Sequence, residues 1–135
     1  MKQNVLAHLR KAQERLKDAE GMFSLDRYAG TVNRTYYAMF EAASAMLASL
    51  GLEFQSHQGV INKFGELLAK TGKVEPRFGH SLKGAFELRE DADYALDARA
   101  EIPRHTAESE LRKAREFVKM AEGFIGGEEP KADGN

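Results

Sequence analysis

A chain of 135 residues, 42% hydrophobic and 30% charged, is long enough to bury a core of its own and unlike a disordered segment. It has no cysteine, which excludes disulfides, thiolate metal sites and cysteine nucleophiles. With 20 Lys and Arg against 21 Asp and Glu, the net charge of −1 excludes a global attraction to polyanions and leaves any phosphate binding to local patches.

The elements read almost throughout with helical period. In the first segment Leu9, Ala12, Leu16, Ala19 and Phe23 form one apolar stripe, with Arg10, Lys11, Glu14 and Lys17 off it. The first break falls at Ser24 to Asp26, and Asp26 is expected to cap the next helix. A second helix is predicted from about Arg27 to Leu50, ended by Gly51; its many small residues make it the expected central helix. Ser56 is the expected N-cap of a third helix, whose apolar face is Val60, Ile61, Phe64, Leu67 and Leu68 and which Gly72 ends. Pro76 suits the first turn of a fourth helix, continuing to about Ala98. After Pro103, Thr106 is the expected cap of a fifth helix carrying Leu111, Ala114, Phe117, Val118, Ala121 and Ile125 inward. Period-two alternation is not sustained anywhere, so the fold class is all-α: an antiparallel up-down bundle of about five helices, formed by one domain over residues 1–125, with 126–135 as a disordered polar tail. No stretch approaches the roughly 20 apolar residues of a membrane span. The N-terminus is charged and amphipathic rather than signal-like, so the expected location is the cytoplasm.

Phosphate-loop, dinucleotide and H-E-x-x-H motifs are absent, and the four histidines never fall at the spacing that puts two metal ligands on one helix face; no metal or cofactor is expected. The informative feature is polarity on an apolar stripe. Arg89 lies seven residues after Leu82 and three before Ala92, and Asp93, four further on, can pair with it. Such a pair either locks helix register or presents the guanidinium to a phosphate or partner carboxylate in a groove. On the second helix Asn33 and Tyr37 are four apart, Arg34 adjoins them and Tyr36 follows, a set able to stack on and hydrogen-bond a base. At helical spacing Tyr36 reads first as core. The segment 87–101 carries six acids against two bases, which disfavours RNA there, whereas 1–27 carries six bases against four acids.

Three pieces in order, Asn33-Arg34-x-Tyr36-Tyr37-Ala38, His57-x-Gly59-Val60-Ile61-x-x-Phe64 and Arg89-x-x-x-Asp93-Tyr94, make the chain resemble the small stand-alone HEPN proteins of bacteria and archaea across roughly residues 5–125. The resemblance implies a helical bundle that forms a homodimer, with functional residues near the dimer cleft. It also implies a minimal nucleotidyltransferase as partner, in a toxin–antitoxin-type or nucleotide-binding system. Toxic members are metal-independent RNases with an Arg-x(4–6)-His motif, the His moving a proton of a ribose 2′-OH and the Arg stabilising the phosphate.

Here Asp93 and Tyr94 stand where that histidine is sought after Arg89, and neither titrates near neutrality at its ordinary pKa. Arg99 and His105 match the count, but Pro103 intervenes and the match reads as coincidence. The expectation is therefore a binding subunit. Arg89, Asp93 and Tyr94 are its candidate reactive residues, Asn33, Arg34, Tyr37 and His57 its nucleotide or partner surface, and RNA or a nucleotide its candidate ligand. Tyr94 is, by position, the candidate for modification by a partner nucleotidyltransferase. The alternatives are a ribonuclease toxin using His57 or His105, and a purely structural subunit.

Overall fold

The computed structural model describes residues 2–94 and 101–127, with Lys2 and Tyr94 as backbone only. Five α-helices follow in order: α1 (Lys2–Ser24), α2 (Tyr28–Ser49), α3 (His57–Phe64), α4 (Pro76–Tyr94) and α5 (Arg104–Gly126). Among the described residues there is no strand. This is the all-α bundle the periodicity predicts. The short α1–α2 connection makes those helices antiparallel neighbours. Helix α5 runs back along α1, since Arg115 donates to Glu20 at 3.0 Å while Gln13 donates to Glu122 at 2.9 Å.

Helix α2 is central, packing against α1, α3, α4 and α5. The reason lies in its small residues: Ala38, Ala42, Ala43, Ala45 and Ala48 are all buried, so neighbours approach it from several sides. Between them Tyr36, Met39, Met46 and Leu47 fill the core with Phe64, Leu68, Leu82 and Phe117. The Phe117 ring lies 5.2 Å from Phe64 and 5.7 Å from Phe78, tying α5 to α3 and α4. Fully burying each such side chain contributes about 1.5–3 kcal/mol.

Helix ends explain two departures from expectation. Asp26 does not cap α2. It has φ +59, Asp26 N donates to Phe23 O at 3.0 Å, and Arg27 N donates to Met22 O at 2.9 Å. That is the left-handed stop closing α1, a position Asp tolerates better than most L-residues. Gly51 closes α2 in the same way at φ +81, with Leu52 N on Leu47 O at 3.0 Å. Nor does Thr106 cap α5. The helix begins at Arg104, and the Pro103 carbonyl accepts from Thr106 N and Ala107 N at 3.1 and 3.2 Å, which puts Thr106 inside the first turn.

Ser56 does cap α3, its hydroxyl accepting from Gly59 N at 2.9 Å. Beyond Phe64 the chain continues as a π-turn, Gly65–Ala69, with Lys70 N donating to Gly65 O at 2.8 Å, before Gly72 at φ +79 ends it. Of the tail expected over 126–135, Gly126 is the last residue of α5 and Gly127 N donates to Gly123 O at 2.9 Å, whereas residues 128–135 and the expected continuation of α4 to Ala98 lie outside the described residues.

Candidate functional site

The π-turn and the two loops around it set α3 and α4 against the first half of α2, and the sequence's polar exceptions meet there. Arg89, on the inward stripe of α4, keeps only 14% of its side chain exposed. Its guanidinium carbon sits 5.1 Å from the Tyr36 ring centre, 5.5 Å from Tyr37 and 5.6 Å from Phe86. Cation–π attraction of this kind is worth about 0.5–2 kcal/mol, more as water is excluded. Asp93 Oδ2 accepts from Arg89 Nη1 at 3.2 Å, and Asp93 is 39% exposed. Among the described residues Nε of Arg89 is buried with no partner.

The third component is His57, the first residue of α3. Its Nδ1 lies 2.7 Å from the hydroxyl of the wholly buried Tyr36, so the two share a hydrogen bond. The imidazole stacks on Phe40 at 4.4 Å and 16° and meets Tyr37 edge-on at 5.7 Å. Burial, with Arg89 as the second cause, holds the His57 pKa below its ordinary value. Burial also pushes the Tyr36 hydroxyl above the usual tyrosine range, against the opposing pull of Arg89. Tyr36 therefore stays protonated and His57 neutral at pH 7, which leaves Nε2 as the ring position not committed to Tyr36.

Asn33 and Arg34 fall on a different side of α2. With Lys11 and Arg15 of α1, and with Tyr37 and Glu41, they line a depression of about 380 Å³. Arg34 Nη1 donates to Asn33 Oδ1 at 2.8 Å. Tyr37 borders both places. Thus Arg89, Asp93, Tyr37 and His57 come together around Tyr36, Asn33 and Arg34 lie next door, the Tyr94 side chain and Arg99 lie outside the described residues, and His105 is exposed at the start of α5.

Two features escape the sequence reading, a cationic pair on α1 that borders the site and a buried carboxylate on α5. Lys11 reads from the sequence only as a charge off the apolar stripe and Arg15 is not singled out, although their spacing of four puts both on one face of α1. Glu110 was passed over although it falls between Ala107 and Ala114 on the buried stripe of α5; it is 7% exposed, Oε2 accepts from Lys113 at 3.3 Å and Oε1 has no partner among the described residues.

The three segments that converge on Tyr36 are the three that carry the family likeness, and residues 5–125 match the HEPN domain family. The chain belongs to the HEPN family. Among its relatives, a UPF0332 protein of Thermotoga maritima is 35% identical over 116 residues, covering 86% of this HEPN chain and 81% of the relative. A Methanocaldococcus jannaschii protein named "Putative toxin MJ0605" is 33% identical over 118 residues, covering 87% and 86%. A UPF0332 protein of Archaeoglobus fulgidus is 32% identical over 117 residues, covering 87% and 91%. Among the described residues no helix of this HEPN protein is long and apolar enough to cross a membrane.

Proposed function

We propose that this HEPN protein is the ligand-binding subunit of a toxin–antitoxin-type pair. In this reading it forms a homodimer, associates with a minimal nucleotidyltransferase, and receives a phosphate-bearing nucleotide or RNA at Arg89. The carrying observation is the state of that guanidinium. It is held against three aromatic rings, yet among the described residues it has a single hydrogen-bonded carboxylate, itself 39% exposed. A register-locking ion pair has excellent geometry and satisfied donors. This one has a 3.2 Å contact and a buried Nε without a partner among the described residues, which suits a cation kept ready for a ligand. The names of relatives support the toxin-type setting. The homodimer and the nucleotidyltransferase partner rest on membership of the family.

Tests follow the parts of the reading. Expressed alone, the wild-type chain slows growth and Arg89→Met does not; coexpressed with the product of the neighbouring gene it is retained as a complex, and its mass in solution is that of a dimer. Equal growth inhibition by wild type and Arg89→Met removes the role of the guanidinium. A neighbour that is not a nucleotidyltransferase, or that does not bind, removes the partner.

A second reading, metal-independent RNA cleavage, is favoured by one observation: a neutral His57 shares the Tyr36 ring with Arg89. Its Nε2 would take the 2′-OH proton while Arg89 stabilises the phosphate. RNA left intact by purified protein at micromolar concentration excludes it.

A further inference from the structure

The net charge of −1 leaves nucleic-acid binding to a local patch, and the α1–α2 depression is such a patch. Lys11, Arg15 and Arg34 line it against a single carboxylate, Glu41, which already receives His8 Nδ1 at 2.8 Å. Arg34 leans on the neutral amide of Asn33, so its charge is not cancelled there. Arg15 contacts Glu14 at 3.5 Å and Asp18 at 3.3 Å, side chains 57% and 47% exposed, and such surface pairs exchange readily for a phosphate. The depression has about 380 Å³, room for more than an ion, and Tyr37 forms its border with the Arg89 cradle.

We propose that this depression is a second phosphate subsite, and that the ligand of the protein is a single-stranded oligonucleotide spanning it and Arg89 rather than a mononucleotide. The inference rests on the reading of Arg89 as a phosphate site and extends it to the class of ligand. Single-strand binders combine a cationic track with aromatic rings along which bases stack, and here Tyr37 stands between the two cationic positions. That ring favours a nucleic acid over an acidic peptide, which would use the charges and not the aromatic edge.

The test compares AMP, a dinucleotide and a labelled 12-mer RNA on wild type, Arg89→Met and the double variant Lys11→Gln/Arg15→Gln, by competition and anisotropy across salt. Both replaced residues are surface groups of α1, and circular dichroism checks the fold. The wild type is expected to bind the 12-mer at least tenfold tighter than AMP, and the double variant to lose most of that gain. The salt slope of the 12-mer falls by about 1.4 with two cations removed, so the double variant loses about sevenfold less affinity between 50 and 200 mM salt. A 12-mer bound no tighter than AMP, with AMP still dependent on Arg89, overturns the subsite and leaves the Arg89 reading standing. Length-dependent binding lost in the α1 variant but indifferent to Arg89→Met does the reverse. Polyglutamate competing as well as RNA overturns the nucleic-acid assignment, as does the absence of any binding.

Discussion

Arg89→Met separates a ligand-binding arginine from a structural one, because the two roles predict opposite effects on stability. Removing the guanidinium forfeits cation–π attraction to Tyr36, Tyr37 and Phe86, together about 1–2 kcal/mol in a site this enclosed. It also forfeits the Asp93 pair, which at 39% exposure of the carboxylate is worth about 0.5 kcal/mol. Against these stands the relief of a buried Nε that has no partner among the described residues, about 1–3 kcal/mol. Met fills most of the same volume with a flexible apolar stem and makes favourable sulfur–aromatic contacts. The terms cancel to within about 1 kcal/mol, and the balance can favour the variant, as replacements of buried ion pairs often do.

Arg89→Ala, by contrast, leaves the three rings around a void and costs about 2–3 kcal/mol through lost packing. Urea unfolding reads the difference directly, at about 0.3–1 M in the midpoint per kcal/mol, provided the slope is common to all variants. The expected pattern is a Met variant as stable as wild type and devoid of ligand binding. A Met variant destabilised by more than about 2 kcal/mol would make the guanidinium a structural tie and refute the reasoning.

His57 should titrate below 6.5, its ordinary value, because burial and Arg89 both oppose the imidazolium. The unfolded chain then binds the proton more readily than the folded one, so this contribution to stability is intact above pH 6.5 and declines as pH falls below it. Assigned imidazole NMR resonances check both the midpoint and its upward movement in Arg89→Met; a midpoint above 6.5 contradicts the burial argument. Asp26→Gly relieves a left-handed φ of +59 and should stabilise by about 1 kcal/mol, whereas Gly51→Ala at φ +81 should cost about 1–2 kcal/mol. Gly84→Ala, exposed within α4 and with open space where a Cβ would go, should gain about 1 kcal/mol. Thermal or urea melts decide all three, and the Asp26 argument fails if the glycine variant is the less stable.

The helices were legible because each buries a stripe of period 3.6, and Arg89 was legible for the same reason: a cation at a position the stripe reserves for an apolar residue. What the period cannot report is which segment supplies the neighbours. The π-turn was invisible since Phe64 and Leu68 keep an ordinary i, i+4 spacing across it. Asp26 is a favoured residue both before a helix and after one, and only the φ of +59 decides between them. Lys11 and Arg15 resembled any solvated face of an amphipathic helix until α2 brought Arg34 beside them. Glu110 shows the opposite failure, a carboxylate on an apolar stripe that obeyed the rule that revealed Arg89 and was overlooked.

The residue one turn after Arg89 bears on what the site can do. It is an aspartate and not the histidine of the family's RNase motif, so in the RNA-cleavage reading the proton would move through another element, and His57 of α3 is the imidazole whose Nδ1 shares a hydrogen bond with the Tyr36 hydroxyl. In the proposed reading the same aspartate does not close the site to anions. Its single contact among the described residues, at 3.2 Å, is long for a charge-assisted bond, typically about 2.7–2.9 Å, and its side chain is 39% exposed. A phosphate offering two oxygens to the guanidinium fork would make the bidentate contact that Asp93 does not make here. In that reading the ion pair is the resting partner of the site: it neutralises a largely buried cation and yields when a stronger anion arrives.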